Sequence, residues 1–162
     1  MASPPPRRRQ RIAVTSLEEI ASDDTEALAK ICQIDDWHYG EKALDLSKIQ
    51  HIFRGGCTSF YVARSGKEIV AYAMIHFFPS TPGTAELGRL VVHPELRRAQ
   101  VATQLLNRWT KHDGPRGRSV LNANLPVKNL GGCAFLESVG FKSYYHSAGH
   151  EPREFFQWII PQ

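Results

Sequence analysis

The stretch LGRLVVHPELRRAQVATQLLNRW, Leu87 to Trp109, decides how this chain is read. Ala85 to His93 is a short apolar run that suits a buried strand, and Pro94 stops it. Beyond the proline, Val101, Leu105, Leu106 and Trp109 recur at i, i+4, i+5 and i+8. That stripe predicts a helix over Arg97–His112, closed by Asp113-Gly114-Pro115. A strand that turns into a helix presents unpaired N–H groups and a positive dipole end at one point. Arg97 and Arg98 in the first turn add charge, and Ala99 and Ala102 let a ligand approach the backbone. The pattern suits a diphosphate or similar anion. The alternative is an amphipathic helix with solvated arginines.

Working outward, Arg11–Thr15 is expected as a first strand. SLEEIASDDTEALAKICQIDD then reads as helix, with Asp23 and Asp24 as candidate N-caps, and a second helix is expected near Asp45–Phe53. Thr58–Arg64 and Glu68–Phe78 read as a hairpin about Ser65-Gly66-Lys67. After Arg97–His112 come a strand at Ser119–Leu125, a helix at Asn129–Val139 closed by Gly140, and strands at Phe141–His146 and Phe155–Ile160. The order β-α-α-β-β-β-α-β-α-β-β predicts an α/β fold of the mixed α+β kind: a mostly antiparallel sheet with helices on both faces.

The chain has 162 residues, 42% of them apolar and 22% charged. Those values exclude collagen, coiled coil and overall disorder, and predict one domain over residues 11–162. Residues 1–10 read as a disordered Pro/Arg tail. The net charge is +4, of which Arg7, Arg8 and Arg9 supply three, so the body is nearly neutral. A basic nucleic-acid face is therefore not expected. The longest apolar stretch, Ile69 to Phe78, contains His76 and falls well short of the ~20 residues a membrane span needs. The N-terminal residues lack the apolar core of a secretory signal. Three widely spaced cysteines, Cys32, Cys57 and Cys133, argue for a reducing compartment and against a zinc site, so a cytoplasmic location is expected.

Two segments carry a family resemblance. V92-x-P94-x-x-R97-x-x-Q100-V101-A102 resembles motif A of the GNAT family of acetyl-CoA-dependent N-acetyltransferases, V-x-P-x-x-(R/Q)-x-x-G-x-(G/A). N129-L-G-G-C-A-F-L-E-S-V-G140-F141 resembles its motif B, N-x-x-A-x-x-x-Y-x-x-x-G-F. The resemblance, which extends in element order from Arg11 to Ile160, implies the GNAT-like acyl-CoA N-acyltransferase fold. It also implies acetyl-CoA as co-substrate, no metal, and acetyl transfer to a primary amine of a small molecule or protein by direct attack. There are departures: Gln100 stands where the family has glycine, and Leu136 where it has tyrosine.

The resemblance implies that backbone at Leu90, Val91 and Val92 pairs with the pantetheine arm and polarises the thioester carbonyl. Arg97, Arg98, Ala99, Gln100, Val101, Ala102 and Thr103 would hold the diphosphate, and Asn129 would contact the cofactor. Glu86, eleven residues before Arg97, is the candidate base that frees the amine lone pair. Its alternative is a rim carboxylate. Tyr144 and Tyr145 are candidate acids for the departing sulfur, and at most one can reach it, since successive strand residues point to opposite faces. Their alternative is structural.

Asp35-Asp36-Trp37-His38-Tyr39 lies between the first two helices, where the resemblance implies an acceptor pocket and two acids with two aromatics would suit a cationic amine; the alternative is a loop whose Trp37 plugs the core. His146 and His150 do not form a metal pair in strand and loop context. Cys133 reads as core. The last strands could complete the core or form a homodimer edge. The rival functions are a non-catalytic acyl-CoA-binding module and an acetyltransferase for an RNA-linked amine such as aminoacyl-tRNA.

Overall fold

Apolar side chains alternate along β2 (Thr58–Ser65): Phe60 and Val62 enter one core, Tyr61 and Ala63 the other. A strand buried on both faces has to lie inside a sheet covered on both sides. The computed structural model, which describes residues 12–97, 100–113 and 117–161, has that architecture. Around β2 stand β1 (Ser16–Glu19), β3 (Glu68–Phe77), β4 (Thr84–Val92), β5 (Val120–Pro126), β6 (Lys142–His146) and β7 (Arg153–Ile159). They form one sheet in the order β1-β2-β3-β4-β5-β7-β6. Among the described residues only β4 and β5 run parallel; every other pair is antiparallel.

On one face lie α1 (Thr25–Tyr39) and α2 (Leu46–Arg54), which send Leu28, Ile31, Ile34 and Ile49 against Phe60, Val62, Tyr72 and Val91. On the other lie α3 (Val101–Arg108) and α4 (Leu130–Val139), with Leu105, Leu106, Cys133 and Leu136 in a core shared with Ala73, Leu87 and Phe156. Asp24 and Asp45 cap α1 and α2 by accepting from Ala27 N–H and Lys48 N–H at 3.1 and 2.8 Å. Gly140 closes α4 at φ 119°, a left-handed position open to glycine at no steric cost. Among the described residues no helix is long and apolar enough to cross a membrane.

Four expectations need correction. The first strand is Ser16–Glu19 rather than Arg11–Thr15, because Leu17 registers with Ala63 and Ile20 N–H donates to Phe60 O at 2.8 Å. Pairing with β2 thus overrides the helix-forming composition of SLEE. Asp35–Tyr39 is not a loop but the last turns of α1. Trp37 does not plug the core: it is 44% exposed and sits edge-on to His93, with ring centroids 4.7 Å apart.

The helix after Pro94 starts at Val101, not Arg97, because Gln100 adopts φ 61°, ψ 20° and breaks the helical path. Pro94–Leu96 forms a single 3-10 turn instead, and a π-helical turn, Trp109–Asp113, follows α3. The expected N-terminal tail, Arg98 and Ala99 lie outside the described residues.

Candidate active site

The parallel seam between β4 and β5 is short. Thr84–Glu86 registers with Val120–Asn122, and pairing stops there. Gly88 is an extra residue in β4, since Leu87 faces Ile75 and Arg89 faces Met74. Such a bulge bends its strand and adds twist. β5 meanwhile stays with β7 through Pro126. The two central strands therefore part, and a cleft of about 330 Å³ opens between them. Leu87–Leu90 and Ala123–Leu125 form its walls, Ala102 of α3 and Leu136 of α4 its apolar lining, and His38 and Tyr39 of α1 its rim. A wider surface groove of about 890 Å³, between α1 and the β2–β3 turn, contains none of the motif residues.

The β4 backbone has a definite phase. His93 N–H donates to Val70 O at 2.9 Å. Alternate residues of an antiparallel strand turn their amides to the same side. Arg89 and Val91 thus face β3, whereas Leu90 and Val92 turn N–H and C=O away from it, Leu90 into the cleft. A ligand that lies along β4 as an extended arm finds donors and acceptors there at strand spacing.

A charged network holds the rim. Asp35 is fully buried; its carboxylate accepts from Leu44 N–H at 2.6 Å, from Arg89 Nη1 at 2.6 Å and from the Tyr72 hydroxyl. Burial, reinforced by the hydrogen bond to Asp35, raises the Tyr72 hydroxyl well above its ordinary pKa. Burial alone would lower Arg89, but the hydrogen bond and charge of Asp35 outweigh it and raise the guanidinium. Arg89 also lies 4.0 Å over the Tyr39 ring, a cation–π contact that fixes this ring at the cleft. Burial raises the Tyr39 hydroxyl, against the opposing charge of Arg89.

His38 meets Arg97 with Nη2 to Nδ1 at 3.1 Å. Arginine only donates, so Nδ1 is the acceptor and the ring proton sits on Nε2. Burial, then the charge of Arg97, lowers the pKa of His38.

The model of the GNAT acetyltransferase family matches residues 8–141. The chain belongs to the GNAT acetyltransferase family. Solved structures of the same fold include an alanine N-acetyltransferase of a ribosomal protein from Escherichia coli. It is 16% identical, covers 91% of this chain and 94% of its own, and has a TM-score of 0.74. A variant of the spermidine N-acetyltransferase from Vibrio cholerae is 12% identical over 90% of this chain and 93% of its own, with a TM-score of 0.72. A Salmonella typhimurium protein solved with its cofactor acetyl-CoA is 16% identical over 91% of this chain and 94% of its own, with a TM-score of 0.67. No curated protein matches the sequence.

In this GNAT acetyltransferase the motif residues converge on the cleft only in part. Leu90, Ala102 and Asn129 line it, and Arg97 reaches its rim through His38. Asn129 caps α4 by accepting from Gly132 N–H at 3.0 Å. Gln100 occupies the left-handed conformation for which glycine has no steric cost, so the side chain departs from the family pattern while the backbone keeps a glycine-like turn. Leu136 gives the cleft an apolar wall where the family pattern has a phenol.

Glu86 stands at the last paired position before the strands part, opposite His76 on β3 and Asn122 on β5. Ala85 and Leu87 enter the α3/α4 core, so Glu86 faces the α1/α2 side. Tyr144 and Tyr145 do not reach the cleft. They are 59% and 57% exposed on β6, the edge strand, with β7 and β5 between them and β4. Tyr145 packs on Phe155 with centroids 5.5 Å apart, and Tyr144 occupies a bulge. Among the described residues no group of His, Cys, Asp and Glu is arranged to hold a metal.

Asp35, Arg89, Tyr39 and His38 were not singled out as a network from the sequence. One signal was present: Asp35 follows Leu28 and Ile31 at i+7 and i+4, on the apolar stripe of its helix. A charge on that stripe needs a buried partner.

Proposed function

We propose that this chain transfers the acetyl group of acetyl-CoA to a primary amine of a small molecule or a protein. The observation that carries this reading is the parting of β4 from β5, with Leu90 lining a cleft flanked by both family motifs and the Val92 amide turned away from β3 on the same side. The pantetheine arm would lie along β4 as an added strand, with Leu90 or Val92 N–H at the thioester oxygen as negative charge develops. Val91, whose amide belongs to the β3 ladder, would contribute through its side chain and position only. Backbone N–H groups from Gln100 to Thr103, with Arg97, would take the diphosphate. The Oδ1 of Asn129 is used as a cap, so a contact to the cofactor would come from Nδ2.

The acceptor arrives as an ammonium and must lose a proton before it can attack. Glu86, half-buried at the fork of the strands, is the proton acceptor in this reading. The lone pair then attacks the thioester carbon, the C–N bond forms, and collapse of the oxyanion expels the CoA thiolate. This leaving group is stable enough to be protonated by water, and the reading gives Tyr144 and Tyr145 no part. An odd number of free cysteines supports a reducing, cytoplasmic setting. The near-neutral body supports a small-molecule or protein acceptor over an RNA-linked one.

Calorimetry with acetyl-CoA, alongside CoA release on amines such as spermidine and a peptide with N-terminal alanine, tests the reading. Micromolar binding with turnover of an amine supports it, as does weaker binding in Arg97→Ala. Binding without turnover on any amine would favour a non-catalytic acyl-CoA-binding module, the role to which Leu136 lends some weight. Absence of binding refutes the reading.

A further inference from the structure

Every acetyl transfer to an ammonium forms N–C, breaks C–S and strips two protons from nitrogen. One returns to the CoA sulfur; the other must leave the site before the base can act again. Glu86 is half-buried at the fork of β4 and β5, so its proton leaves either directly to water or through a neighbouring side chain.

His76 is such a neighbour. It stands directly opposite Glu86 on the neighbouring strand and shares its face of the sheet, a placement that brings Cβ atoms to about 5 Å. On the other side it faces Thr58 of β2, and Thr58 Oγ1 lies 2.7 Å from His76 Nδ1. The far nitrogen reaches over Gly88: a Cβ built there would lie 2.5 Å from His76 Nε2 and 2.9 Å from His76 Cδ2. The bulge residue lacks a side chain where the imidazole needs the space. Gly88 lines the cleft, whereas Thr58 lines a separate surface groove of about 500 Å³. The ring therefore joins the cleft wall to an independent opening on the surface.

We propose that His76 and Thr58 form the exit for the proton that acetyl transfer releases. The inference rests on the acetyltransferase reading above and assigns two further residues to it. In the resting ring Nδ1–H donates to Thr58 Oγ1, and Nε2 presents its lone pair over Gly88, to be reached from Glu86 through water. Glu86 takes the ammonium proton and passes it to Nε2; Nδ1 gives its own proton to Thr58 Oγ1, which releases one to water in the groove. Tautomerisation returns the ring to its starting state, and the carboxylate is free for the next turnover. His76 acts through Glu86 and is a positioning and relay residue, not a group that touches the substrate.

CoA release is followed with spermidine and with an N-terminal alanine peptide as probes. His76→Ala is expected to lower turnover about 10²-fold, leave acetyl-CoA affinity unchanged, and recover when imidazole is added to the medium. Thr58→Val, which keeps the ring and removes its oxygen partner, is expected to give a smaller fall in kcat at constant KM. Gly88→Ala, which displaces the ring, is expected to reproduce the His76→Ala loss. Undiminished turnover in His76→Ala, or a loss that imidazole does not restore, overturns the relay.

A second arm needs no acceptor. Nitrogen-15 NMR of the wild-type histidines is expected to find the neutral His76 ring protonated on Nδ1; a ring protonated on Nε2 overturns the proposal. If the wild type binds acetyl-CoA yet acetylates neither probe, the fault lies with the acceptor reading, and the tautomer alone decides for or against the relay.

Discussion

Replacing Arg89 by methionine keeps most of the side chain's volume and removes the only cation hydrogen-bonded to Asp35 among the described residues. Asp35 has no solvent exposure and would keep two neutral donors, Leu44 N–H and the Tyr72 hydroxyl. Breaking a buried pair from one side costs about 3–5 kcal/mol, because a charge is left without compensation. Arg89 is itself 20% exposed, which lets some water reach the carboxylate. The lower end, about 3 kcal/mol, is therefore expected. For a chain of this length that corresponds to a fall in Tm of roughly 6–12 °C.

Urea unfolding followed by circular dichroism measures it, with m unchanged if the native state stays compact. The control is the double variant Asp35→Asn with Arg89→Met, which removes both charges. It should be more stable than Arg89→Met alone, with a coupling of about 1 kcal/mol or more. A loss under about 1 kcal/mol in Arg89→Met, or strict additivity in the double variant, would refute the view that the pair is a buried, mutually dependent unit.

Two further outcomes follow from the cleft. Gln100→Gly relieves a left-handed φ of 61° and is expected to stabilise by about 1 kcal/mol, after the entropy that glycine adds to the unfolded chain. Thermal melting detects this as a higher Tm; an unchanged or lower Tm would contradict the strain. His38 has a folded-state pKa below its ordinary 6.5, through burial and then Arg97. Above that value the ring is neutral in both states; as pH falls through it the unfolded chain binds the proton first, so stability present at neutral pH is lost on acidification. His38→Gln should flatten that part of the pH–stability curve. An identical acid slope in the variant, read from urea midpoints at several pH values, would sink the assignment.

Strands such as β2, β3 and β4 were legible because alternation and apolar runs are written into their own residues. The first strand was not: SLEE has helical composition, and only the register with Arg64–Tyr61 makes it extended. The start of α3 was misread because helix propensity does not report that Gln100 takes a left-handed φ. Asp35 and Asp36 were read for a cationic ligand rather than for a buried role; the burial of Asp35 depends on Arg89 and Tyr72, which lie far away in sequence.

The candidate site was half legible. Motif residues pointed to the β4–α3 corner, but the parting of β4 and β5 is a tertiary fact, signalled in sequence only by Gly88. Tyr144 and Tyr145 were candidates because they follow Gly140-Phe141. Strand order then places two strands between them and β4. His76 stood out only as a polar break in the apolar run Ile69–Phe78, with no chemistry attached to it.

The short seam between β4 and β5 also has a mechanical meaning. Its register is the briefest of any interior seam of the sheet, while β2–β3, β3–β4 and β5–β7 are stitched over most of their length. Two half-sheets are thus joined at one end and spread at the other, like the blades of a pair of tongs with the hinge at Thr84–Glu86. Tension applied across the blades loads a few backbone bonds in sequence rather than many in parallel. A rigid rod laid between them along Leu90 and Val92 would share that load, so the sheet becomes a single stiff plate only when something fills the space between the blades.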